Sequence, residues 1–194
     1  MSLLPTTELE GVNDLLLAIS EAPVNTLSGK LPTDVTIAKR ILDSVNRKVQ
    51  GKGWHFNTEY NVTIALNSDS ELVLGASIVS VTSVVKNITI REGKLYDIDE
   101  RTFTFTAALT NLTTVTLLAF TDIPQAARIY IVELGKRQIQ QEVNGSVSSD
   151  VENKETLLRL LGDLRDDEIT RSKPNMGTGT IGMFNMLHRD RLVY

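Results

Sequence analysis

The sequence predicts an α+β fold: a helical bundle from the N- and C-terminal segments, an inserted antiparallel β domain and an extended C-terminal tail. Three observations carry this. Apolar residues recur at helical spacing up to Gln50 and again from Asp122 to Ile169. Between Tyr60 and Thr121 the period falls to two, as half-buried strands require. After Ser172 no period remains. The expected parts are a helical region over 1–59, a β domain over 60–121, helices completing the bundle over 122–171 and a tail over 172–194.

The first helix is "TELEGVNDLLLAISEAP". Thr7 and Glu10 have the spacing of a capping box, in which each side chain satisfies a backbone N–H near the other. Leu9, Val12, Leu16 and Ile19 form its apolar face, and Pro23 is expected to end it. A Gly/Pro/Ser loop follows. The second helix starts at Thr33 or Asp34 and runs to Gln50, with Ile37, Ile41, Val45 and Val49 in one stripe that Leu42 widens. Gly51 suits a left-handed C-cap, where a side chain would clash.

Strands are expected in "YNVTIAL", "SIVSVTSVV", "RTFTFTA" and "TTVTLLAF", with two more in "ITIREGKLYDI" about a turn at Gly93. The third helix has Asp122 as its cap, Pro124 in its first turn and a stripe of Ile123, Ala127, Ile131, Leu134 and Ile139. The fourth, from about Asp150 to Ile169, carries Leu157, Leu158, Leu160, Leu161 and Leu164, dense enough for burial on more than one side.

Composition excludes several functions. The chain has 194 residues, enough for a substantial core, with 24 acids against 20 bases and a net charge of −4, so it is not a basic nucleic-acid binder as a whole. It has no cysteine, which removes disulfides, thiolate zinc sites and cysteine nucleophiles. No apolar run reaches the roughly 18 to 20 residues that span a bilayer, and "MSLLPTTELE" lacks the features of a signal peptide. The expectation is a soluble protein with no membrane association. His55 and His188 stand in no H-E-x-x-H, G-x-S-x-G or P-loop context, so no catalytic, metal-binding or cofactor-binding residue is assigned.

Four stretches need a closer reading. In "VNRKVQGKGWHFNTE" the chain's single tryptophan, Trp54, and Phe56 follow a basic helix end. A nucleic-acid contact, a catalytic pocket and a packed joint between layers are all open. In "YDIDER", Asp97, Asp99 and Glu100 have the chemistry to bind a hard cation or act as acid and base, but with no second ligand cluster they read as a strand leaving a hairpin, its acids on the wet face or in the next turn. In "GDLRDDEITR", Asp163, Asp166, Asp167 and Glu168 make a solvated helix face, or an acidic lining that repels a DNA backbone and lets it slide. The tail "GTGTIGMFNMLHRDRLVY" combines glycines with Met183, Phe184, Met186 and Leu187, and its bases Arg189 and Arg191 contrast with an acidic chain. It reads as a segment that orders on a partner, or as a terminal arm packed on its own domain.

The stretches "GVNDLLLAISEAPVNTLSG" and "AKRILDSVNRKVQGKGWHFNTE" closely resemble the N-terminal signature of the tail tubular protein A family of T7-like podophages. The likeness continues more loosely in "TDIPQAARIYIVELGKRQIQQEVNG" and the tail's "FNML"; most of the β region carries no matching motif. The resemblance implies a non-enzymatic head-to-tail adaptor without a cofactor, made in the host cytoplasm and carried in the virion tail. It implies a homo-dodecameric ring under the portal protein, with the nozzle of tail tubular protein B below and tail fibres at that junction. Genomic DNA would pass through without sequence-specific binding. On this basis Trp54 and Phe56 are expected at a helix-to-β joint, with Arg47, Lys48 and Lys52 at the surface. Phe184, Leu187, Arg189 and Arg191 are expected to anchor the tail on the portal, and the four acids of "GDLRDDEITR" are candidates for the lumen. Two other classes stay open: a surface glycan hydrolase using β-domain carboxylates, and a monomeric head-completion chaperone.

Overall fold

The computed structural model describes residues 5–145 and 150–172. In chain order these form α1 (Glu8–Ala18), α2 (Thr33–Gln50), β1 (Thr58–Ile64), β2 (Ile78–Ser83), β3 (Ile88–Arg91), β4 (Lys94–Asp97), β5 (Leu109–Thr116), a 3₁₀ turn (Phe120–Asp122), α3 (Gln125–Asn144) and α4 (Asp150–Ser172). The class is α+β. The chain divides into two compact units, one of residues 1–42 and 125–194, the other Asp43–Pro124. The first division falls inside α2, so the last eight residues of that helix belong with the strands. The expected boundaries at 59/60 and 121/122 both fall within the second unit.

In the first unit, α1 packs on α3 and α3 on α4. The Thr7–Glu10 capping box is formed: Thr7 Oγ1 accepts from the Glu10 N–H at 3.2 Å, and Glu10 Oε2 accepts from the Thr7 N–H at 2.7 Å. The helix stops at Ala18, before Pro23. Ser20 turns left-handed (φ 64°), and the N–H groups of Glu21 and Ser20 bond the carbonyls of Leu16 and Leu17. This is a Schellman closure that needs no proline. Asn13 then pins the following loop by donating to and accepting from the Val24 backbone at 2.9 and 2.8 Å. Leu15 lies against Gly135 of α3, where a Cβ would stand 3.1 Å from both Leu15 methyls. Lys39 pairs with Glu8, and Arg40 with Glu142 at 2.9 Å. Asp122 does not cap α3; it sits in the 3₁₀ turn, and the helix begins after Pro124.

In the second unit β1, β5 and β2 make an antiparallel sheet in the order β1-β5-β2, and β3 and β4 form a hairpin. The hairpin turn has Glu92 and Gly93 both at positive φ (53° and 72°), the two-residue turn whose twist suits flanking strands. Leu72, Val81, Leu95, Phe105 and Leu112 are the core between these layers. The strand expected in "RTFTFTA" is not formed. Thr102 and Thr104 make only single bridges, to Asp97 and Glu71. Arg101 is left-handed (φ 57°), and the Thr102 hydroxyl takes the Thr104 N–H at 3.1 Å, so the backbone is satisfied locally. The strand in "TTVTLLAF" ends at Thr116, because the next N–H groups go to Ser77 and to the side chain of Gln50.

Candidate functional site

The joint in "QGKGWHFN" is the best-defined polar site of the second unit. Gly51 does not adopt the left-handed conformation expected of it; Gly53 does, at φ 70°. The turn thus comes two residues after the first glycine, and it directs Trp54 inward. Trp54 is 2% exposed. Its Nε1 donates to the Val49 carbonyl at 2.8 Å, an acceptor at the end of α2 whose other donor is the Lys52 N–H at 3.3 Å. Its own N–H donates to Asn57 Oδ1 at 2.7 Å. Phe56 is half-buried and meets His55 edge-on at 5.6 Å between ring centres. Arg47, Lys48 and Lys52 are exposed.

Two residues that the sequence reading passed over hold this joint. Gln50 is fully buried; its Oε1 accepts the Leu118 N–H at 2.8 Å, and its Nε2 donates to the Leu118 carbonyl at 2.9 Å and to Asn46 Oδ1 at 2.8 Å. Asn57, 3% exposed, donates from Nδ2 to the carbonyls of Gln50 and Thr116 at 2.9 and 3.0 Å. Every polar atom of both amides has a partner, the condition under which a buried amide stabilises rather than costs. The signal for Gln50 is its i, i+4 spacing from Asn46 at the end of an apolar stripe. Asn57 gives none beyond its place in the signature stretch.

A second cluster surrounds Asp97, which is 2% exposed. Its Oδ1 accepts the N–H groups of Asp99 and Glu100, both at 3.0 Å, and its Oδ2 accepts from Lys86 Nζ at 2.6 Å. Lys86 also reaches Glu100 at 3.1 Å and lies 5.7 Å from the centre of the Phe105 ring. Asp99 accepts from Asn87 at 3.2 Å. These carboxylates are thus committed to a turn and one ammonium. Among the described residues no group of three or more His, Asp or Glu could hold a metal ion.

The Glu100 N–H and the Lys86 ammonium hold Asp97 below the usual carboxylate range. Its value in the unfolded chain is about 3.9, so its contribution is complete above about pH 5 and is lost as pH falls from there through the depressed folded value. Asp97→Asn is therefore expected to lower the melting temperature at pH 7 and to flatten the acid limb of a melting-temperature profile taken down to about pH 2. A parallel profile displaced at every pH would count against this assignment.

On α4, Asp163 and Asp166 are exposed, Asp167 is half-buried, and Glu168 is 7% exposed. Asp167 Oδ1 accepts from Arg171 Nε at 2.6 Å. The four acids therefore do not share one solvent face: Asp163 and Asp166 are the two that do. Phe184, Leu187, Arg189 and Arg191 lie outside the described residues. No helix among the described residues is long and apolar enough to cross a membrane.

No curated protein matches the chain. A family model described as tail tubular protein matches residues 9–173. That match spans both helical segments and the β region between them, including the part where the sequence offered no motif. The chain belongs to the tail tubular protein family and is a structural component of a phage tail.

Proposed function

We propose that this chain is the head-to-tail adaptor of its virion. Copies close into a ring, dodecameric as in the podophage relatives it resembles, between the portal protein and the nozzle of tail tubular protein B. Tail fibres attach at the ring–nozzle junction, and the genome passes through the lumen without sequence-specific contacts. The observation that carries this reading is where the signature stretch spends its chemistry. Gln50, Trp54 and Asn57 bond helix end to sheet end, and their side-chain polar atoms are all taken up by hydrogen bonds within the joint. A stretch used for a rigid joint suits a part that transmits load rather than one that turns over a substrate. Asp163 and Asp166 supply repulsive charge to the lumen, and repulsion keeps a polyanion mobile.

In this reading the segment 173–194 docks on the portal through Phe184, Leu187, Arg189 and Arg191. Removing it is expected to leave a folded chain whose melting temperature is nearly unchanged and whose portal binding is lost, since ordering a segment on a partner contributes to binding alone. Co-sedimentation of full-length and shortened chains with portal particles, beside thermal melts of each, measures both. Equal binding by the two chains would sink the docking role. Electron microscopy of the full-length chain with portal then reads the ring directly.

A further inference from the structure

The β3 edge of the hairpin is open. Across the two-residue turn Arg91 pairs with Lys94, and beyond it Thr89 pairs with Tyr96. These are the pairs that exchange backbone hydrogen bonds, so the N–H and C=O groups of Ile88 and Ile90 point away from β4. On the β4 side the corresponding outward N–H groups, of Leu95 and Asp97, reach the carbonyls of Leu72 and Thr102, both at 2.9 Å. On the β3 side no hydrogen bond among the described residues reaches the backbone of Ile88 or Ile90. Such an edge is a template for another strand, and proteins ordinarily guard it with a bulge, a proline or a free charge.

β3 has none of these guards. Its register with β4 is unbroken, whereas β1 and β2, the outer strands of the other sheet, carry register shifts, and Asn61 in β1 is left-handed (φ 58°). The two bases that flank it are held elsewhere. Lys86 is bound by Asp97 and Glu100, and the Arg91 guanidinium lies 3.9 Å from the centre of the Tyr96 ring. The edge also reads the same in both directions, Ile88-Thr89-Ile90. An antiparallel copy centred on Thr89 brings Ile88 opposite Ile90 twice, and all four unpaired groups on each chain bond at once. In that register Glu92 comes opposite Lys86, and Arg91 opposite Asn87, whose amide already bonds Asp99 at 3.2 Å. Opposite charges thus meet at both ends of the pair. The mate's turn arrives at a concavity of about 480 Å³ bordered by Ile88, in which Val84 and Val85, each 83% exposed, form one wall.

We infer that the free chain forms a two-fold pair by joining its β3 to β3 of a second copy, making one sheet in the order β4-β3-β3-β4. Both partners use the same patch, so the contact closes on two chains. Side-by-side copies in a ring use different patches on their two sides, so this pair precedes the ring and opens as the ring forms. It keeps the edge covered while the chain is unassembled. The pair itself stands apart from the adaptor reading; only its opening rests on that reading.

The chain has no cysteine, so single cysteines report the contact without background. Two Thr89 residues facing each other as a non-hydrogen-bonded pair stand about 4.5 Å apart at Cα, within disulfide reach. Full-length Thr89→Cys is expected to give a covalent dimer on mild oxidation, well in excess of Glu59→Cys on the guarded β1 edge. Sedimentation of the unmodified chain over a range of concentrations should show a monomer–dimer equilibrium. Thr89→Asp and Thr89→Lys, each setting like charges face to face, should weaken it by roughly tenfold or more, and mixing the two variants should restore pairing. Restoration shows that both variants are folded and that position 89 faces itself. A parent chain that stays monomeric, a dimer indifferent to both charges, a mixture that does not pair, or Thr89→Cys that cross-links no better than Glu59→Cys overturns the inference. With portal added, the oxidised Thr89→Cys dimer should build rings only after reduction. Rings built equally well by the oxidised dimer overturn its place before assembly. Failure of the unmodified chain to build rings overturns the adaptor reading and leaves the pair standing.

Discussion

Trp54→Ala is expected to destabilise the second unit by about 3 to 5 kcal/mol, the usual cost of truncating a buried aromatic. Two losses combine. The ring leaves a cavity at a site only 2% exposed, and the Val49 carbonyl loses the shorter of its two hydrogen bonds, keeping the Lys52 N–H at 3.3 Å. Set against a typical domain stability of about 5 to 15 kcal/mol, the loss is large enough to unfold a marginal unit. Trp54→Phe separates the two parts. It keeps most of the apolar area and removes only the indole hydrogen bond, at a cost of about 0.5 to 1.5 kcal/mol, because the Val49 carbonyl keeps the Lys52 N–H at 3.3 Å. Urea denaturation of the three chains measures both steps. An Ala variant as stable as the parent would show that the ring is a surface contact and not the filling of the joint.

Gly53→Val should cost nearly as much by an unrelated route. At φ 70° any L side chain is strained, by about 1 to 2 kcal/mol. A Cβ there would also stand 2.9 Å from Val115 Cγ2 and 3.3 Å from Thr58 Oγ1, and overpacking of this kind costs about 1 to 3 kcal/mol more. Repeating the substitution with Val115→Ala removes the principal clash and leaves the backbone term. Recovery of about half the loss in the double variant is the expected result; no recovery would place the whole cost in the backbone. Gly51, whose φ is not positive, carries no such backbone term.

These two glycines also mark where sequence reading reaches its limit. Periodicity located all four helices, because burial of one face is a property of the segment itself. Val12, Leu16, Ile41, Val45 and Val49 are buried as their spacing requires. Gly53 turns left-handed against Val115, more than sixty positions away along the chain, and that neighbour is invisible to any local rule. The same holds for the β region. "TTVT" pairs as a strand, but the alternation of "RTFTFTA" is equally good and forms none; there the Thr104 N–H goes to the Thr102 hydroxyl and the Phe105 N–H to the Ser70 carbonyl. Gln50 and Asn57 look like ordinary polar residues until the end of β5 arrives to accept them. The acids of α4 were read as one group from their adjacency, yet helical geometry sends Glu168 inward and Asp163 outward.

The division of the chain has a consequence in time. α1 ends at Ala18 and its packing partner α3 begins at Gln125. During synthesis at about 5 to 20 residues per second, α1 waits on the order of 5 to 20 s for that partner. Over the same interval all of Asp43–Pro124 is made, so the β unit has its full set of strands before the helical unit can close. The helical unit is then the last to complete, and its exposed apolar faces are the ones a growing chain must protect.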